Sequence, residues 1–129
     1  MLITRKVEFS ASHVCRNPRL SDEENQRVFG LAANPNGHGH NYLLEVSLEG
    51  EPDPVTGMVF DLKEMKDVLN REVVEPFDRV IPTPENIARD IWRRIEPHFA
   101  GRGHRLHSVR LYETPDLYVD YFGGQPCSA

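Results

Sequence analysis

Only two cysteines, Cys15 and Cys127, occur in these 129 residues, so no disulfide framework holds the chain together and a reducing, cytoplasmic setting is expected. Lysine and arginine number 15 against 20 aspartates and glutamates. That imbalance, with no basic run interleaved with aromatics, argues against a nucleic-acid face. No apolar run approaches the roughly 20 residues a membrane-crossing helix needs, and no signal-peptide hydrophobic core opens the sequence. There is no internal repeat and no low-complexity tract. What remains is ordinary: 39% hydrophobic and 27% charged residues in a length that supports one domain, 1–129, with a real core.

Against that background three histidines stand out. His13 ends Phe9-Ser-Ala-Ser-His13, and His38 and His40 lie in Pro35-Asn-Gly-His-Gly-His-Asn-Tyr42. Residues two apart on a strand share a face, so His38 and His40 can converge on one ion. His13, ending another strand, supplies a third nitrogen. Zinc held by three histidines keeps a fourth position for water or substrate, a catalytic arrangement. Neither motif contains a carboxylate. A lone histidine beside an apolar face is more often a packed residue than a ligand, and it is the grouping that points to a metal. His98, His104 and His107 lie in a polar Arg- and Gly-rich stretch and read as solvated.

The pattern along the chain predicts an α+β fold. Leu2–His13 alternates as a half-buried strand. Arg16–Asn36 is a long polar excursion with a helical turn at Asp22–Phe29. His38–Gly50 alternates again, with His40, Tyr42, Leu44, Val46 and Leu48 on one face. After a turn and a short extended stretch at Met58–Phe60, Asp61 and Glu64 offer a capping box for a helix. Its stripe is Leu62, Met65, Val68, Leu69 and Val73, and Pro76 ends it. Thr83 caps a second helix with Pro84 at its first position, and Ile87, Ile91, Trp92, Ile95 and Phe99 form its stripe. Arg105–Glu113 and Leu117–Phe122 close the chain as a hairpin. The order is β-β-α-α-β-β, four antiparallel strands with two helices on one face. Open sheet edges need covering, and pairing between subunits would cover them.

Glu113 shares a strand face with Val109 and Leu111, where a carboxylate costs free energy unless it is paired or binds something. It could instead face water beyond the apolar patch. A carboxylate accepts two parallel N–H bonds, so it suits a planar, guanidine-like edge such as that of a pterin ring. Thr83 and Glu85 have a sufficient local reason to be present, a cap and an acidic first turn, each worth about 1 kcal/mol or less.

Taken in order, Phe9–His13, Ser21-Asp-Glu-Glu-Asn25, Asn34–Tyr42, Thr56-Gly-Met58, Thr83-Pro-Glu-Asn86 and Tyr112-Glu-Thr114 resemble the 6-pyruvoyltetrahydropterin and 6-carboxytetrahydropterin synthases over nearly the whole chain. The resemblance implies the tunnelling fold, whose subunits pair edge to edge into a trimeric barrel, with two trimers stacked as a homo-hexamer and sites between subunits. It implies a Zn2+ cofactor on His13, His38 and His40. Glu113 matches the pterin anchor, and Thr83 and Glu85 match the segment lining its pocket. The implied substrate is 7,8-dihydroneopterin triphosphate, whose side-chain hydroxyls zinc would acidify.

Two departures accompany the match. The family's catalytic cysteine stands a few residues before the His-Gly-His segment, where this chain has Ala32. The family's Leu-Asp-His segment, with its catalytic histidine, has no counterpart, because Val74–Val80 runs almost directly into Pro82-Thr-Pro-Glu85. Cys15, two residues after His13, is the candidate substitute, against the alternative of an inert semi-buried thiol; Cys127 is assigned no role in a frayed tail. Two functions follow: a zinc-dependent carbon–oxygen lyase, or a homologue that binds zinc and pterin without the standard chemistry. A generic three-histidine zinc hydrolase with Glu113 as base is a third, weaker reading. No motif singles out a triphosphate site among Arg5, Arg16, Arg19 and Arg27.

Overall fold

Strict alternation makes the first two strands. β1 (Leu2–His13) alternates exposed and half-buried residues from end to end, and β2 (His38–Gly50) buries Tyr42, Leu44, Val46 and Leu48 on one face. In this computed structural model, which describes residues 1–73, 81–101 and 103–124, they pair antiparallel with His13 opposite His38 and Leu2 opposite Glu49. β3 (His104–Thr114) pairs with β2, and β4 (Leu117–Tyr121) with β3, giving the antiparallel order β1-β2-β3-β4. This is the expected sheet.

α1 (Asp22–Phe29), α2 (Leu62–Glu72) and α3 (Pro84–Phe99) complete the fold. The segment expected to hold one helical turn is therefore a full helix, followed by a 3-10 turn at Gly30–Ala33. A reciprocal capping box between Ser21 and Glu24 starts α1. Asn25 anchors it to the preceding loop: its side-chain amide donates to the carbonyls of Asn17, Leu20 and Ser21, and its oxygen accepts the Asn17 amide. With Asn25 buried, these bonds supply what water cannot. Asp61 caps α2 by accepting from the Lys63 and Glu64 amides. Thr83 caps α3 through the Asn86 amide, with Pro84 in the first turn.

The core lies between the helices and the inner sheet face. All five expected stripe residues of α3 are buried, as are Met65, Val68, Leu69 and Val73 of α2, against Leu44, Val46, Leu48, Leu106, Val109 and Leu111. Leu62 is a correction: it is exposed, and the buried stripe begins one turn later. Met58–Phe60 is also not extended, because the chain bends at Val59 and Phe60 as it enters the Asp61 cap. The expected helix stop at Pro76, the missing Leu-Asp-His segment and Cys127 fall outside the described residues.

β3 carries two one-residue bulges that alternation alone does not announce. Ser47 pairs with Ser108 but Leu48 with Leu106, so His107 is an extra residue. The extra residue reverses facing, which lets Leu106 and Val109, of opposite parity, both enter the core. Tyr112 pairs with Tyr118 but Thr114 with Leu117, which makes Glu113 the second extra residue.

The solvated reading holds for His98, which is exposed, and is overturned for His104 and His107, which are half-buried. His98 Nε2 lies 3.0 Å from Glu72 Oε1, and His104 Nδ1 lies 2.9 Å from the Phe99 carbonyl. His107 packs edge-on against Phe122 with its Nδ1 buried. His98 thus pairs with α2 while still facing water, whereas His104 and His107 are packed against neighbouring groups.

Candidate functional site

The β1–β2 register assembles the histidines. His13 faces His38 directly, and His40 lies opposite Ala11, two residues back along β1. Gly37, just before His38, adopts φ +74° at the end of a turn closed by its amide on the Asn34 carbonyl, a conformation that favours glycine. The three rings then cluster, with centroids 4.4 Å (His13–His38), 4.8 Å (His38–His40) and 5.3 Å (His13–His40) apart. One nitrogen from each lies within 4.8 Å of the others.

The chemistry of these nitrogens fits a metal. His13 Nε2, His38 Nδ1 and His40 Nε2 are buried without a hydrogen-bond partner. Burying a polar nitrogen without a partner is costly, and three such atoms facing each other are what a cation would satisfy. Burial, and then the neighbouring His38 and His40, push the His13 pKa down to about 4. A neutral imidazole is the form that binds a metal.

The site also holds groups that the spacing of the histidines did not announce. The Glu113 carboxylate lies 3.4 Å from His40 Nε2. Leu111 pairs with Leu44 and Tyr112 with Leu43, so alternation turns Glu113 to the face of Tyr42 and His40, and a carboxylate does stand beside the cluster although neither motif contains one. Tyr42, fully buried, sets its hydroxyl 3.1 Å from His13 Nδ1. Burial, and then the charge of Glu113 and of Cys15, raise the Tyr42 pKa, so it stays a neutral phenol. Sequence reasoning placed Tyr42 on the inner face of β2, where it is buried, and missed the contact of its hydroxyl with His13. The signal was its parity, two residues beyond His40 on the ligand face of β2.

Cys15 is buried. Its amide donates to the Ala32 carbonyl at 2.9 Å, and its thiol points to the Pro82 carbonyl at 3.8 Å. Burial, and then Glu113, raise its pKa. The Pro82 contact also ties the start of α3, and hence Thr83, to this neighbourhood. Thr83 is half-buried and occupied as a cap, whereas Glu85 is exposed, and no contact links it to the histidines. Among the arginines weighed for the triphosphate, Arg16 is already paired with Asp22 at 2.6 Å. A cavity of about 550 Å³ at the far end of β2, lined by Glu51, Asp53, Asp61, Glu64 and His104, includes none of the candidate residues.

No helix among the described residues is long and apolar enough to cross a membrane. Residues 2–124 match the model of the 6-pyruvoyl tetrahydropterin synthase family. The chain is 38% identical to the 6-pyruvoyl tetrahydrobiopterin synthase of Homo sapiens, over 94% of this chain and 90% of that one. It is 28% identical to the 6-carboxy-5,6,7,8-tetrahydropterin synthase of Rickettsia felis, over 91% and 96%. Among solved structures, 6-pyruvoyl tetrahydropterin synthase from Caenorhabditis elegans superposes with a TM-score of 0.82 at 37% identity, covering 96% of each chain.

Proposed function

The chain belongs to the 6-pyruvoyl tetrahydropterin synthase family, and from that premise we propose that it is a zinc-dependent pterin synthase-like enzyme acting on 7,8-dihydroneopterin triphosphate. The reaction would be a carbon–oxygen lyase step, in which triphosphate leaves and the side chain rearranges. One observation supports the reading most: three buried histidine nitrogens without a hydrogen-bond partner meet, and the Glu113 carboxylate stands 3.4 Å from one of them. We propose a homo-hexamer, a dimer of trimers built by edge pairing of β1 and β4, acting in the cytoplasm.

Zinc on the three histidines would supply a Lewis acid for the side-chain hydroxyls. Glu113 would accept paired N–H bonds from the pterin edge, fixing the ring. Thr83 and Glu85 would line that pocket from the start of α3. Elimination breaks a carbon–oxygen bond and removes a proton from the adjacent carbon, so a proton carrier is required. Ala32 cannot serve. Cys15, whose amide is bonded to Ala32, is the group we assign. Burial and Glu113 raise its pKa, so it would take the carbon proton only as the thiolate, after giving up its own.

The same protonated thiol favours a second reading, in which the protein binds zinc and pterin without turnover. Zinc-loaded protein incubated with 7,8-dihydroneopterin triphosphate and followed by mass spectrometry separates the two. Release of triphosphate with a new pterin, abolished in Cys15→Ser, is the expected result. Intact substrate retained by the protein would establish the binding reading, and no retention at all would overturn both.

A further inference from the structure

We propose that Tyr42 is a positioning residue for His13: its hydroxyl, bonded to His13 Nδ1, holds the ring in the tautomer and orientation that present Nε2 to the histidine cluster. The inference rests on the metal reading of that cluster and deepens it.

His13 has two ring nitrogens, and the structure separates their duties. Nδ1 lies 3.1 Å from the Tyr42 hydroxyl, while Nε2 is buried without a partner and faces the other rings. In a neutral imidazole one nitrogen carries the proton and the other a lone pair. For Nε2 to offer its lone pair, Nδ1 must carry the proton and donate it to the Tyr42 oxygen. A phenol can accept that bond; a phenylalanine cannot. Among the described residues, His13 is the one ring of the three with such a bond.

Tyr42 is itself held in place. It pairs with Phe9 across β1 and β2, and the two rings stack at 5.1 Å with planes 16° apart. Ala11, between Phe9 and His13 on the same face of β1, has only a methyl group, so no large side chain intervenes there. His40 flanks Tyr42 with a centroid distance of 5.6 Å. The tyrosine thus joins the apolar core, where it is fully buried, to the polar cluster at the end of the sheet. Partners of this kind on metal-binding histidines orient the ring and raise its basicity, and their loss typically weakens metal binding about 10- to 100-fold.

The test is Tyr42→Phe, which keeps the ring and its stacking and removes one oxygen. Zinc affinity is measured by competition with a chromophoric chelator, and the visible spectrum of the cobalt-substituted protein is recorded alongside. The expected result is a zinc Kd raised about 10- to 100-fold with a shifted cobalt spectrum. A purely structural tyrosine would lower the melting temperature of the metal-free protein and leave both readouts unchanged, and that outcome overturns the proposal. Nitrogen-15 NMR of the zinc-loaded wild-type protein is a second test that does not depend on how well the variant folds. It should find the His13 proton on Nδ1 in a slowly exchanging hydrogen bond; a proton on Nε2 would overturn the inference. Wild-type protein that binds no zinc would remove the metal reading itself, a failure distinct from that of the variant.

Discussion

The amide of Cys15 donates to the carbonyl of Ala32 at 2.9 Å, which joins the end of β1 to the 3-10 turn before β2. The thiol next to that bond is buried, and burial together with Glu113 raises its pKa. Iodoacetamide should therefore modify Cys15 in metal-free protein at neutral pH many times more slowly than a free cysteine, because the thiolate is the reactive form. A Cys127→Ser background isolates the signal. Alkylation at the rate of an exposed thiol would show that the pocket around Cys15 is open.

Replacing His40 with alanine should release the metal. Two nitrogens remain, and His13 and His38 cannot complete a three-nitrogen set. The core lies between the sheet and α2 and α3, so the fold should survive with an unchanged far-ultraviolet circular dichroism spectrum. Zinc content is measured after dialysis. Full occupancy in His40→Ala would mean that the ligands lie elsewhere.

Glu113→Gln preserves the shape of the bulged residue and removes one charged acceptor. A hydrogen bond to a charged group contributes about 1.5–3 kcal/mol, so pterin affinity should fall by about tenfold or more. Fluorescence titration with a reduced pterin reads the change. Equal affinity in the two proteins would end the anchoring role.

Metal-free stability should depend on pH through His13. Its folded pKa is lowered to about 4 by burial and by its two neighbours, whereas a histidine in the unfolded chain titrates near 6.5. Between those values the unfolded chain binds more protons. Stability therefore falls as pH drops from about 6.5 to about 4, and this contribution is constant outside that window. Urea midpoints at pH 7 and pH 4.5 should differ less in His13→Gln than in the wild type. An identical difference would rule His13 out as a source.

Much of this molecule is legible from local pattern. The alternation of β1 and β2, the stripe on α3 and the caps at Asp61 and Thr83 are short-range signals, and each forms where expected. Parity puts His38 and His40 on one face, and the antiparallel register, which parity does not give, brings His13 to them. The bulges were not legible, since an extra residue becomes visible only once the partner strand is known. The inward placement of both Leu106 and Val109 depends on the first of them. Asn25 was equally opaque: its bonds reach Asn17 and Leu20 across a loop whose path no periodicity describes. Tyr42 is buried as its parity indicates, and only the contact of its hydroxyl with His13 was not legible.

The extra residue at Glu113 makes the site sensitive to chain length as well as to composition. Deleting one residue between Tyr112 and Pro115 would let the β3–β4 ladder close without interruption. The hairpin would become more regular, but the backbone that carries Glu113, whose carboxylate lies 3.4 Å from His40 Nε2, would be rebuilt. Insertions and deletions in this hairpin should therefore be tolerated less well than substitutions at the same positions, an asymmetry that length-variant libraries would expose.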